Sequence, residues 1–486
     1  MLLGGLMLAQ LLSGCAVGPN FHKPAAPAVT HYTHDADPTE AAAAGGELQR
    51  YRPGGAISGD WWTLFHSAQL DAVIAESLDR NPGLEAAQSS LRQSQDILRS
   101  GYGIFYPAVS AGAAATREKL STVQLGETTP SRVFNLFTLS ASVSYALDVF
   151  GGQRRFVEEL HAQSDVANAT LLGTYLTLAS NVANTVIARA AYQAEMDATV
   201  ELLQLQQQQV QLAEVQSKAG TAPYSNVLSL RTELAAYEAS IPQLAQRIAQ
   251  CDDLLASLAG HTPAEWAAPG VRLEDLTLPA DLPVSLPSNL VRQRPDILAA
   301  EATAHAASAQ IGVSTAALLP SVTLTGDVSG STNTTSNLFP ASGKGWSVGA
   351  KLTAPVFEGG TLWFKRRAAI AGYEQASDLY RQTVLGAFAQ VADSLHALQH
   401  DAQYLAAEEE ALSAAREALQ LLQADYQAGL ATYLDLLNAD AQLHQARIAE
   451  IGAVALRYQD TVALFAALGG GWWTVPALGG IADSVQ

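Results

Sequence analysis

Four short stretches of the chain alternate apolar with small polar residues. Over 137–149, Phe137, Leu139, Ala141, Val143, Tyr145, Leu147 and Val149 share one face, against Thr138, Ser140, Ser142, Ser144 and Asp148. Over 346–356, Trp346, Val348, Ala350, Leu352 and Val356 oppose Ser347, Lys351 and Thr353. Val322, Leu324 and Val328 alternate with Thr323, Thr325 and Asp327, and 108–116 repeat the pattern in a weaker, alanine-rich form. A period of two predicts strands, here at about 107–117, 133–149, 319–330 and 345–357. Apolar residues on one face and small polar ones on the other suit a membrane barrel, and equally a half-buried soluble sheet. The segments between paired strands, 117–133 and 330–344, are rich in Ser, Thr, Gly and Asn and predict outward loops.

After each strand pair the period changes to that of a helix. Residues 154–217 and 361–427 contain no proline and are dominated by Ala, Leu, Gln and Glu, which favour helix. At about 1.5 Å per residue each would span roughly 100 Å, against an average helix of about 11–12 residues. Stripes such as Leu202, Leu205, Gln209, Leu212 and Val215, or Leu412, Ala415, Leu419 and Leu422, have the three-and-four spacing of a coiled-coil seam. Shorter helices are predicted at 82–104, 224–260, 295–318 and 431–468. Two of these laid end to end would match one long helix and complete a uniform helical wall.

The whole arrangement occurs twice. Asn81-Pro82 recurs as Arg294-Pro295 and Tyr106-Pro107 as Leu319-Pro320, each 213 residues later. The glycine turns 218–223 and 428–431 correspond at an offset of 209, and Gly260 and Gly470 at 210. Such constant offsets mark an internal repeat. The chain therefore reads as repeat 1 (61–270, tip 218–223) and repeat 2 (271–472, tip 428–431), with a tail at 473–486. Four strands cannot close a barrel, and an open sheet leaves hazardous edges. Three copies would supply twelve strands, an even number that leaves a lumen.

Composition narrows the function. The net charge of −19 argues against nucleic acid, which needs clustered cations. No run of 18 or more apolar residues occurs beyond the N-terminus, so any membrane span must come from strands. Residues 1–14 read as a signal peptide, although no Lys or Arg precedes the apolar run, and Leu12-Ser13-Gly14-Cys15 reads as a lipobox. Cys15 is then the acylated first residue of a tether over 15–60. An Asp after it would resemble an inner-membrane retention signal, so Ala16 favours the outer membrane. His22, His31 and His34 read as solvated linker residues, and Cys251 as a small buried side chain. His396 and His400 stand one helical turn apart without a third ligand, so no metal site is expected. No Walker A, GxGxxG or GxSxG motif occurs, and no enzyme is expected.

Further motifs carry a resemblance over nearly the whole mature chain. They are Cys15-Ala16-Val17-Gly18-Pro19-Asn20-Phe21, Trp61-Trp62 with Phe65 and Leu70, Arg292-Gln293-Arg294-Pro295-Asp296, and Leu468-Gly469-Gly470-Gly471-Trp472. In these the chain resembles the TolC/OprM-like outer-membrane efflux lipoproteins. The resemblance implies an α+β homotrimer: a twelve-stranded transmembrane β-barrel, four strands per chain, continued by a periplasmic α-helical coiled-coil tunnel. It implies passive export of small molecules, with a periplasmic adaptor and an inner-membrane RND-type transporter as partners and no cofactor beyond the lipid (palmitate) on Cys15. It places the periplasmic gate at Tyr426, Leu434, Asp435 and Asn438, and adaptor docking at Gly220, Thr221, Gly429 and Leu430. Asn226 and Asn438 stand where the family usually has acids, and Ala431 and Ala441 where a base is common. A gate held less by ion pairs is therefore expected. A channel for type I secretion or for metal cations, and a structural periplasmic coiled-coil lipoprotein, are the alternatives. The lipobox and the double tryptophan favour a drug pump.

Overall fold

The computed structural model describes residues 16–34, 37–41, 48–55, 57–120, 132–335 and 344–475. In chain order the strands are β1 (Arg50–Pro53), β2 (Ala108–Leu120), β3 (Arg132–Leu147), β4 (Asp281–Val284), β5 (Ser321–Thr332) and β6 (Lys344–Thr353). The α-helices are α1 (Ala68–Arg80), α2 (Pro82–Gly101), α3 (Gly152–Lys218), α4 (Tyr224–Leu258), α5 (Pro287–Gln293), α6 (Pro295–Ala316), α7 (Thr361–Gln427) and α8 (Tyr433–Ala467). Helix and sheet thus coexist, with helix predominant. The two compact units cut across the two sequence repeats. One comprises Met1–Pro24, Leu91–Val166 and Ala300–Tyr380, the other Ala25–Ser90, Ala167–Ala299 and Arg381–Gln486.

The first unit holds an antiparallel sheet in the order β2-β3-β5-β6. Its register converts the alternation of the sequence into rows. Val109 pairs with Val143, which lies across Gly326 from Val348; Ala141 pairs with Val328, and Val328 with Trp346. The opposite face carries Ser110 against Ser142, their hydroxyls 2.7 Å apart, and Thr138 against Ser331 at 3.2 Å. The apolar face is not covered: Val109, Val143, Val328, Trp346, Val348 and Leu352 are all exposed. The outer edges of β2 and β6 have no strand partner among the described residues. Two strands end earlier than their patterns suggest. β6 stops at Thr353 rather than 357 because Pro355 has no N–H to give to a ladder. β3 stops at Leu147 rather than 149 because the Asp148 carboxylate accepts from the backbone N–H groups of Gln153 (3.0 Å) and Arg154 (3.1 Å), capping α3.

The start of the tether is strapped to this unit. The Val17 N–H donates to the Phe150 carbonyl at 2.9 Å, and Arg155 donates to Val17 O at 3.2 Å and to Asn20 Oδ1 at 2.6 Å. Phe21 stacks on His305 at 4.5 Å. Further along, β1 pairs in parallel with β4, from Arg50 against Asp281 to Pro53 against Val284. The expected tether over 15–60 is therefore packed structure in much of its length. Its weak periodicity hid a four-residue strand whose partner lies over 200 residues away. Cys15 and the expected signal peptide 1–14 lie outside the described residues.

In the second unit the repeat landmarks acquire a physical role. Asn81 and Arg294 precede prolines, which hold both in extended backbone at ψ 119° and 125°. Asn81 Nδ2 donates to the Leu258 carbonyl at 2.9 Å, and Arg294 Nη1 to the Ala467 carbonyl at 2.8 Å. In each repeat the end of the return helix (α4, α8) thus meets the start of the helix that leads to the strands (α2, α6). Arg294 is buried and also holds Asp296 at 2.7 Å and Gln390 at 2.7 Å. Trp61 and Trp62 are buried too, and Trp61 stacks on Phe465 at 5.3 Å. The double tryptophan is thus part of the packed core. Helices α1 and α5, short and without a long stripe, were not anticipated. One window of α3 is apolar enough to cross a bilayer, but 56% of it is buried inside the protein, as in a core helix.

Of the two expected seam stripes, the one on α7 is met, with Leu412 and Leu419 buried and Leu422 packed in one cluster with Leu419 and Leu436, while the one on α3 is displaced. Leu202, Val210 and Ala213 are buried, with Val210 and Ala213 packed in one cluster with Val227 and Leu230 of α4, whereas Leu205, Leu212 and Val215 are exposed. A helix with neighbours on two sides needs two stripes, and the sequence alone does not say which one its own chain fills.

Replacing Arg294 with Ala removes a charged hydrogen bond to the α8 terminus. It is expected to cost about 2 kcal/mol, read as a lower midpoint in thermal or urea unfolding of the purified protein.

Candidate gate at the helix tips

Each long helix turns into its return helix through the same pair of backbone bonds. At the end of α3 the Thr221 N–H donates to Gln216 O (3.0 Å) and the Gly220 N–H to Ser217 O (3.1 Å). At the end of α7 Leu430 donates to Asp425 O (2.8 Å) and Gly429 to Tyr426 O (3.1 Å). This Schellman closure needs a left-handed residue, and Gly220 and Gly429 supply it at φ 75° and 77°. Gly220, Thr221, Gly429 and Leu430 are all exposed.

The next helix starts on a capping box. The Asp435 carboxylate accepts from the Thr432 N–H at 2.8 Å and the Thr432 hydroxyl at 2.5 Å, and Thr432 Oγ1 accepts from the Asp435 N–H at 3.3 Å. The Thr432 bonds hold the Asp435 carboxyl below its usual range. Leu434, Asp435 and Asn438 share one exposed face of α8, opposite the buried Leu436, Ala439 and Asp440. Tyr426 lies elsewhere: its hydroxyl donates to Gln216 Oε1 at 3.4 Å, and its ring meets Tyr433 edge-on at 5.9 Å. Tyr426 also packs against Leu419, Leu436 and Ala439. So the structure ties Tyr426 into the contact between the two hairpins and leaves the other three presented outward.

Above the tip the helices enclose a polar cluster that the sequence did not reveal. Glu233 on α4 accepts from the Tyr237 hydroxyl at 2.9 Å and from Gln206 Nε2 at 3.2 Å. Asp440 on α8 is 1% exposed, and its Oδ2 has no hydrogen-bond partner; neither has the Tyr433 hydroxyl. Burial, with Glu233 nearby, pushes the Asp440 carboxyl up to about 6. Burial likewise raises Glu233, while His444, edge-on to Tyr237 at 5.0 Å, is held down by burial. The only sequence signal was that Gln206 and Asp440 interrupt apolar faces. An ion pair also links the hairpin, Arg231 to Glu214 at 2.5 Å. The expectation of a gate held less by ion pairs concerned Asn226, Asn438, Ala431 and Ala441, and the Arg231–Glu214 pair involves none of these positions. His396 and His400 are exposed, and among the described residues no group of three or more His, Cys, Asp or Glu is arranged to hold a metal.

An antiparallel sheet with an uncovered apolar face thus runs on into two helices of 67 residues, each closed by a glycine tip. The family model for outer membrane efflux proteins matches residues 73–261 and 286–470, and the chain belongs to that family. It is 30% identical over 416 residues to the pyoverdine export outer membrane protein OpmQ of Pseudomonas putida, covering 85% of this chain and 88% of that protein. It is 28% identical over 469 residues to the cation efflux system protein CusC of Escherichia coli O157:H7, covering 96% and 97%. The solved outer-membrane channel OprN superposes with a TM-score of 0.85 at 28% identity, over 94% of this chain and 100% of that one. The protein is the outer-membrane exit of an efflux system.

The acidic cluster makes the tip sensitive to pH. An acid whose folded pKa is raised destabilises the packed state when ionised. The penalty is therefore full above about pH 6 and is relieved as pH falls through 6 toward the unfolded value. At about two units it amounts to up to about 3 kcal/mol. Hydrogen-exchange protection of α3 and α8 near the tip should rise between pH 7.5 and 5. In Asp440→Asn it should be higher at pH 7.5 and nearly flat with pH.

Proposed function

We propose that three copies of this chain form a twelve-stranded barrel and a periplasmic helical tunnel. Small organic molecules leave through it passively. The observation that carries this reading is the register of the sheet: apolar residues line up in exposed rows on one face, with hydroxyls on the other and a free strand at each edge. Lipid covers such a face and a neighbouring copy closes such edges. The exposed stripe Leu205, Leu212 and Val215 supplies helical surface for the same neighbour.

In this reading Cys15 carries the acyl anchor. The duct receives cargo from an inner-membrane RND-type transporter through a periplasmic adaptor docked at Gly220, Thr221, Gly429 and Leu430. Tyr426, Leu434, Asp435 and Asn438 form the periplasmic gate. Three exposed Asp435 carboxylates, ionised throughout the physiological range, form a cation-attracting ring, and Leu434 beside them narrows the opening. The likeness to a cation efflux protein supports metal cations as a second cargo class.

Planar-bilayer recording tests the reading. Wild type should give discrete conductance steps with cation preference, and Asp435→Ala should reduce that preference at least about twofold. Steps with unchanged selectivity would move the constriction away from Asp435. Absence of steps would leave a structural lipoprotein as the better description. Efflux assays comparing organic toxicants with copper or silver salts separate the two cargo classes.

A further inference from the structure

The end of β6 leads into an exposed aromatic and basic stretch. Val356 is 94% exposed and Phe357 88%, and Trp363 and Phe364 in the first turn of α7 are 55% and 62% exposed. At the same end of the sheet, just before β2, Tyr106 is 72% exposed. Lys365, Arg366 and Arg367 follow directly. Arg366 donates to Thr315 Oγ1 on α6 at 3.2 Å. Lys365 and Arg367 are exposed, and among the described residues neither has an ion-pair partner. This runs against the character of the chain, which has 46 acidic and 27 basic residues, and no acid occurs between Glu358 and Glu374.

The other repeat shows what such cations do when the protein uses them itself. There Arg154 is taken by Asp148 at 3.0 Å. Arg155 is taken by Glu158 at 2.6 Å and by Val17 and Asn20 of the N-terminal strap. In repeat 2 no such strap exists among the described residues, and two cations remain free beside large exposed rings.

Aromatic rings settle at the headgroup level of a bilayer, and free cations beside them attract anionic headgroups. We propose that Phe357, Trp363, Phe364, Lys365 and Arg367 form a binding site for anionic phospholipid of the periplasmic leaflet. Lys365 and Arg367 hold the phosphate, and the rings lie among the glycerol and upper acyl groups. The proposal rests on the reading of the sheet as membrane-spanning, since the stretch lies at the sheet end where the helices join. Two cations near an anionic surface change binding roughly 30-fold.

The test uses the full-length protein in neutral detergent. Short-chain phosphatidylglycerol and phosphatidylcholine are titrated in turn, and bound lipid is counted by native mass spectrometry. Wild type should bind phosphatidylglycerol preferentially. The double variant Lys365→Gln/Arg367→Gln should lose that preference by roughly 30-fold while keeping wild-type oligomeric state and bilayer conductance. Phe357→Ser should weaken both lipids. Equal binding of the two lipids by wild type would overturn the proposal, as would an unchanged preference in the double variant. So would competition by inorganic phosphate at matched charge, which would mark a plain anion site. Loss of the oligomer in the double variant would also overturn it, showing a contact between copies instead. The channel reading is judged separately: its failure appears as absent conductance in wild type, whatever the lipid result.

Discussion

The constraint on which the rest depends is the unfinished sheet. Its strands satisfy one another's backbone groups in the interior, but among the described residues the outer edges of β2 and β6 have no strand partner. One face is meanwhile a field of exposed Val, Leu and Trp. In water such a surface aggregates, and in lipid an open edge is prohibitively costly. Both demands would be met together by the closed barrel proposed above, with lipid against the apolar face.

The wall itself is built by a device used twice. A proline fixes the preceding residue in extended backbone, and that residue's side chain reaches the last carbonyls of a return helix. Asn81 does this with a neutral amide, Arg294 with a buried guanidinium that also engages Asp296 and Gln390. The carbonyls at a helix C-terminus carry partial negative charge, so the arginine version is the stronger joint. Two short helices can then stand where the other half of the repeat has one long helix. The tips use a second repeated device, the Schellman closure on Gly220 and Gly429, which ends each long helix through the same pair of backbone bonds.

Charge is distributed with similar economy. The chain is acidic overall, and several of its cations meet carbonyls, a strap or a carboxylate, among them Arg154, Arg155 and Arg294. Lys365 and Arg367 stand exposed in a stretch that holds no acid from 359 to 373. Asp440 is the opposite case, a buried acid whose carboxyl is raised by burial with Glu233 nearby.

Sequence alone determined the element types, because their signals are periodic and local. The alternation of 137–149 and 346–356 can only be strand, proline-free runs of such length can only be helix, and equal offsets between prolines and glycines can only be repetition. It also located the tip turns, because a left-handed closure demands glycine. Three kinds of fact depended on tertiary structure. Which stripe of a helix is inside was one: Leu205 and Leu212 have the spacing of a seam but are exposed, whereas Gln206 is buried. The fate of the N-terminal segment was another, since β1 exists only by pairing with β4, and no local pattern encodes a partner so far along the chain. The last was the role of single residues. Trp61 is a core ring and Asp440 an enclosed acid, and neither place is written in the local sequence. Burial is a property of what lies opposite a residue, and the sequence does not contain that distance.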